Sequence, residues 1–277
     1  MTEARDFVCD VPTTVAISNI NSYVTPHAVL NPISQFNATK LDIIRAGSKL
    51  DPPENGIVGR LLIVGAVSAF ENYCRGILSG CLILCPISQA RSSEKNVTLG
   101  GAIWHGPSGN FNRSAFEHKS FADTKELKNA FREFVGFEMG SSVFSDLLTA
   151  FEVVMQLRHA IVHADGILPG RNAVKLEILR SSPELKITIS EARLQECLLV
   201  LTSLVLAINR ELFETMCRRW SVEWRLRSDW QPQSTSRLLS SIFSLFVDRA
   251  YNQSLKNRRL WRTRSLEQLL SFKYNIS

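Results

Sequence analysis

Arg158, His159 and His163 fall within six residues of an apolar helical pattern, and a lone carboxylate, Glu71, interrupts another such pattern. The spacing of Phe144, Leu147/Leu148, Phe151, Val154/Met155 and Ile161/Val162 marks a buried stripe, and the 3.6-residue period places Arg158 on it. Val64, Val67, Cys74, Leu78 and Cys81 mark a second stripe, which Glu71 breaks. A guanidinium and a carboxylate on buried faces are costly unless each meets a partner. Glu71 and Arg158 are therefore expected to face one another across a bundle, bordering a polar cleft or forming a structural ion pair. His159 and His163 share a polar stripe with Glu152 and Gln156 and project from one helical face. That spacing can hold a metal, but Ala160 stands where a metalloprotease helix carries its glutamate base, and no clear third ligand is present. The other chemistry such a pair offers is proton transfer near neutral pH. The carbonyl dipoles of the last helical turn favour a charged His163, and the neighbouring Arg158 opposes that charge.

The elements positioning these residues are helical. A nearly all-apolar run from Ile57 to Leu84 predicts a central buried helix. Asp123 is a plausible N-cap for a helix over 123–135, and a third runs from Ser142 to His163 and stops at Asp165-Gly166. A fourth long helix spans Glu191 to Arg218. The alternating runs Val174–Ile178 and Leu185–Ile189 predict a small hairpin, and residues 86–122, rich in Ser, Gly and Asn, read as an irregular insertion. In residues 1–50, Pro12, Pro26 and Pro32 break any long periodicity, leaving a short helix from Ala38 to Ala46.

Arg158-His-Ala-Ile-Val-His163 resembles the signature of the HEPN superfamily: an Arg, a polar residue, a short spacer and a His near a helix end. Val67-Ser-Ala-Phe-Glu-Asn-Tyr-Cys-Arg is similar to that superfamily's acid-bearing first helix, and Ser120 to Phe131 to a segment of its RiboL-PSP-HEPN branch. The resemblance covers about residues 55–215. His159 departs from the branch, which more often has Asn or Asp at that position. What the resemblance implies is a metal-independent endoribonuclease of the toxin or antiviral (abortive infection) type, acting as a homodimer without cofactor. RNA supplies its own 2′-hydroxyl nucleophile, so His163 would serve in acid/base transfer and Arg158 at the phosphate. His159 would be a second proton-transfer group or a substrate contact, and Glu71 would orient Arg158 or a histidine. Arg158 and His163 lie roughly 140° apart on an ideal helix, which favours a site shared between two copies. The alternative is a non-catalytic HEPN-like module that binds RNA or docks a protein. A metal-dependent hydrolase built on His159 and His163 ranks third.

The formal net charge of +6 is unevenly spread. Residues 218–277 carry twelve Lys and Arg against four acids, a net +8, whereas residues 1–217 carry 20 against 22, a net −2. Four of the five tryptophans, Trp220, Trp224, Trp230 and Trp261, also lie in that last segment. Basic residues interleaved with aromatics suit RNA, with Arg258, Arg259, Trp261, Arg262 and Arg264 as its contacts. The same charge would suit an acidic partner such as an antitoxin or other regulatory protein, or a helical appendage docked on the bundle by its tryptophans with a solvated basic face. Six cysteines without a C-x-x-C pair, apolar stretches shorter than a membrane span and an N-terminus without a signal-type apolar core predict a reduced, cytoplasmic chain with no membrane association and no metal. The expected fold is mainly α. It has a residue 1–50 N-terminal arm, a HEPN-like antiparallel helical bundle with a small β-hairpin over 51–217, and a basic, Trp-rich helical C-terminal extension over 218–277.

Overall fold

Asn31 starts the first helix, its side chain accepting a hydrogen bond from the N–H of Ser34 while Pro32 occupies the first turn. Proline fits there because its missing N–H would have no helical partner. Helix α1 therefore runs over Pro32–Gly47, longer than the expected Ala38–Ala46, and Pro32 begins the periodicity rather than breaking it. The computed structural model describes residues 7, 19–26, 30–50, 56–107, 109–178, 183–229, 235–248 and 262–276. Met1–Leu30 is a unit of its own, whose described part holds a 3-10 turn at Ile20–Tyr23. Asn31–Ser277 forms the second unit, to which α1 and the C-terminal helices both belong.

Helix α2, Gly56–Leu84, joins the apolar stretches at 61–70 and 76–85 into 29 residues. Its length and composition would suffice to cross a membrane, with a mean hydropathy of 1.3 over its best window. Here it packs on α1 and on two long helices, α6 and α8, defined below. The insertion is not irregular. Helix α3 covers Pro86–Ser92, α4 covers Leu99–His105 with Thr98 as its cap, and a 3-10 turn follows at Phe111–Phe116. Asp123 caps α5, Thr124–Val135, by accepting from the N–H groups of Lys125 and Glu126 at 2.8 and 2.9 Å. Helix α6 is Ser142–Ala164, α7 is Gly170–Lys175, and α8 is Glu191–Arg218, capped by Ser190. A π turn at Arg219–Glu223 continues α8, and α9, Thr235–Phe246, and α10, Thr263–Tyr274, complete the described helices.

The chain is mainly helical, and no strand occurs among the described residues. The expected hairpin is replaced by another pairing. Pro169 and Gly170 open α7, which takes in Val174 and Lys175. Leu185–Ile187 pairs instead with the segment after α6, through Leu168 N–H to Leu185 O at 2.9 Å and Ile187 N–H to Gly166 O at 2.8 Å. That contact is a single antiparallel bridge between Ile167 and Lys186. The alternation Val-Lys-Leu-Glu-Ile was a weak strand signal because a four-residue spacing fits a helical turn as well.

Gly59 is where α2 meets this segment: a Cβ there would sit 2.5 Å from the carbonyl oxygen of Ile189. Backbone cannot yield as a side-chain tip can, so Gly59→Ala is expected to cost about 1–3 kcal/mol. Urea unfolding of the variant is the check, and a loss below 0.5 kcal/mol (~) would show that the α2 contact relaxes freely.

Candidate functional site

Helix α6 divides its surface by period. Phe144, Leu148, Phe151, Val154, Met155 and Ile161 are buried. Glu152, Gln156, His159 and His163 form the polar stripe, and its two halves differ. The first half is a closed network. Glu152 accepts from Thr124 Oγ1 at 3.0 Å, Gln156 Nε2 at 2.6 Å and Lys175 Nζ at 3.2 Å. Asn172 Nδ2 donates to the backbone oxygen and to Oε1 of the buried Gln156, at 3.2 and 2.9 Å. These bonds pin α7 onto α6. In the second half the rings of His159 and His163 are exposed, with centroids 4.5 Å apart and planes at 49°. The helix stops immediately beyond them. Asp165 and Gly166 take the left-handed conformation at φ 50° and 81°, and Gly166 N–H bonds Ala160 O at 3.1 Å. Asp165 is held by Lys186 at 2.9 Å and Arg60 at 3.5 Å, so its carboxylate serves the turn.

Partial desolvation holds the His159 imidazole below its ordinary range, and the nearby His163, Arg158, Arg171 and Lys175 push the same way. Every one of these charges disfavours a further positive charge, which favours the neutral, proton-accepting form of His159. Removing a cation must raise that value. Arg171→Gln or Lys175→Gln is expected to move the NMR-detected titration of His159 to higher pH, and an unchanged midpoint in both would refute the electrostatic coupling. Cys197 and Cys217, by contrast, are buried thiols pushed up to about 11 and about 12, and are inert at neutral pH.

The expected Glu71–Arg158 pair does not form. Glu71 Oε1 accepts from Phe121 N–H at 2.8 Å and Ser120 Oγ at 3.4 Å, and lies 3.6 Å from Arg75 on its own helix. Helix register explains this. Phe70 of α2 stacks on Phe151 of α6, with centroids 4.9 Å apart, and Arg60 meets Asp165, so the helices run antiparallel. Glu71 lies one residue beyond Phe70 and Arg158 seven beyond Phe151 in the opposite direction, a separation of about 12 Å of helical rise. A periodic pattern reports which face a residue occupies, not its height against a neighbour. Arg158 is half-buried, and its Nε has no hydrogen-bond partner. Among the four predicted catalytic residues the structure brings His159 and His163 together, sets Arg158 on an adjoining face, and holds Glu71 on Ser120, Phe121 and Arg75 instead of Arg158.

In the basic extension, Arg258, Arg259 and Trp261 lie outside the described residues. Arg262 and Arg264 are exposed at the start of α10. Trp220 and Trp224 are fully buried, which removes them from any base-stacking surface. Arg219 is likewise interior, its guanidinium 3.4 Å from Ser88 Oγ and Gly136 O, and Arg225 lies over the Trp220 ring at 4.9 Å. Part of the basic and aromatic density of residues 218–277 is therefore packing.

Two adjoining clefts of about 760 and 570 Å³ open beside the closed end of the stripe, sharing Thr124, Lys128, Met139, Gly140 and Glu152. Arg171 and Lys175 are functional candidates that sequence reasoning missed. Their four-residue spacing on α7 was the available signal, but it lay across the boundary of the expected strand. Among the described residues no group of three His, Cys, Asp or Glu is placed to hold a metal ion, so the histidine pair has no third donor. The arrangement can exchange protons and hold an anion.

No protein-family model, curated protein or solved structure matches this chain.

Proposed function

We propose that the chain is a metal-independent endoribonuclease of the HEPN type, working as a toxin or antiviral effector in dimeric form. The observation that carries this reading is the exposed His159–His163 pair at the end of α6, with Arg158, Arg171 and Lys175 acting on it. In the reaction His159 takes the proton from an RNA 2′-hydroxyl. The 2′-oxygen bonds to phosphorus, the bond to the 5′-oxygen breaks, and His163 supplies the proton to that leaving oxygen. The products are a 2′,3′-cyclic phosphate and a 5′-hydroxyl. Cations stabilise the charge that builds on the phosphoryl oxygens. Arg158, set on the adjoining face, would join a phosphate at the histidines from a second copy.

The half-burial of Arg158 also favours the alternative, a non-catalytic HEPN-like module that binds RNA or docks a protein, because a covered guanidinium is a poorer phosphate ligand. Incubation of the purified protein with total RNA in EDTA separates the two. Cleavage with cyclic-phosphate ends is expected, and RNA that stays intact at micromolar protein would leave the binding module.

A further inference from the structure

Arg158 of the six-residue motif is not the only cation that acts on the histidine pair within one chain: Arg171 and Lys175 act on His159 as well. Asn172 is fixed to Gln156 by two hydrogen bonds, and Gln156 stands one helical turn before His159 on the same stripe. Arg171, next to Asn172, is thereby carried on a short helix clamped against the histidine face. Its side chain is exposed and makes no hydrogen bond or ion pair. Lys175, one turn further along α7, is bound to Glu152, whose carboxylate is already shared with Thr124 and Gln156. Arg158, next to His159 and a stronger influence on it than Arg171, is half-buried and about 140° from His163 around the helix axis. Of the two guanidinium groups that act on His159, neither of which has a hydrogen-bond or ion-pair partner among the described residues, Arg171 is the exposed one.

We propose that Arg171 binds an RNA backbone phosphate against His159 and His163 in the same chain, with Lys175 as a weaker, shared cation at the edge of that site. This assignment rests on the ribonuclease reading. The guanidinium fork presents two parallel N–H donors to two phosphoryl oxygens, which a lone ammonium cannot do. The exposed rings supply a further donor or acceptor each, depending on their protonation. The phosphate lies where the 2′-oxygen can reach the neutral His159. Arg158 of a second copy is then an addition to a phosphate site already present in the monomer. Arg171 and Lys175 act on His159 alongside the stronger Arg158.

The test pairs a binding probe with a cleavage assay on the full chain. Inorganic phosphate is titrated into wild-type, Arg171→Gln and Arg171→Lys protein while the His159 and His163 ring signals are followed by NMR. Cleavage of RNA is measured on the same three proteins. The expected result is a phosphate-dependent shift of both histidines, with affinity about 10-fold weaker in R171Q and partly restored in R171K. The value of kcat/KM should fall by about 10- to 100-fold in R171Q with an unchanged Tm, since the side chain is exposed. Equal phosphate affinity in wild type and R171Q, or histidine signals that phosphate does not move, would overturn the assignment whether or not RNA is cut. If phosphate binding depends on Arg171 but the wild type leaves RNA intact, the ribonuclease reading falls and the phosphate site stands.

Discussion

Replacing His163 by alanine is expected to slow RNA cleavage by about 10²- to 10⁴-fold, the range that a positioned proton-transfer group contributes. The ring is exposed at the end of α6 and supports no core contact, so the folded state should keep its Tm. His159→Ala should produce a loss of similar order, and the double variant less than the product of the two, because both groups serve one proton relay. The pH dependence gives an independent sign. With the His159 value held below the ordinary imidazole range, cleavage should rise with pH through a midpoint under about 6.5, as the base loses its proton. Substituting Gln for Arg171 should carry that midpoint upward. A His163→Ala protein that cuts RNA at the wild-type rate would remove this residue from the chemistry.

The largest expected effect on stability lies at the far end of the molecule. Trp220 is fully buried in the π turn that continues α8, beside the equally buried Trp224. Trp220→Ala should cost about 3–5 kcal/mol through lost apolar contact and the cavity left behind. The stacked guanidinium of Arg225 would lose its partner as well, and Arg219, inside the same layer, would lose part of its cover. For a unit of this size, that corresponds to a Tm drop of about 6–20 °C. A drop under about 2 °C would mean that the C-terminal helices do not depend on the tryptophan layer.

These two residues illustrate what was legible in the sequence. His163 was readable because its surroundings are local: the helix, its Asp165-Gly166 stop and the four-residue spacing all lie within two turns. The cap of α5 was readable for the same reason, since Asp123 bonds to N–H groups two and three residues away. Trp220 was readable as a core residue only as one alternative, the appendage docked by its tryptophans, because basic neighbours surround it and its burial depends on α9 and α10 folding back. Leu239, Ile242, Phe246, Leu266 and Leu270 are buried side chains those helices contribute.

By itself the sequence determined that the chain is mainly helical, where its long helices begin and end, and that two histidines share one face. Those properties arise from interactions a few residues long. Only the tertiary structure decided which charges meet. Register between α2 and α6 separates Glu71 from Arg158, and the clamp of Asn172 on Gln156 brings Arg171 to the histidines. Both outcomes depend on how far one helix is slid along another, a quantity set by interlocking side chains such as Phe70 and Phe151. Periodicity along one helix carries no information about that displacement.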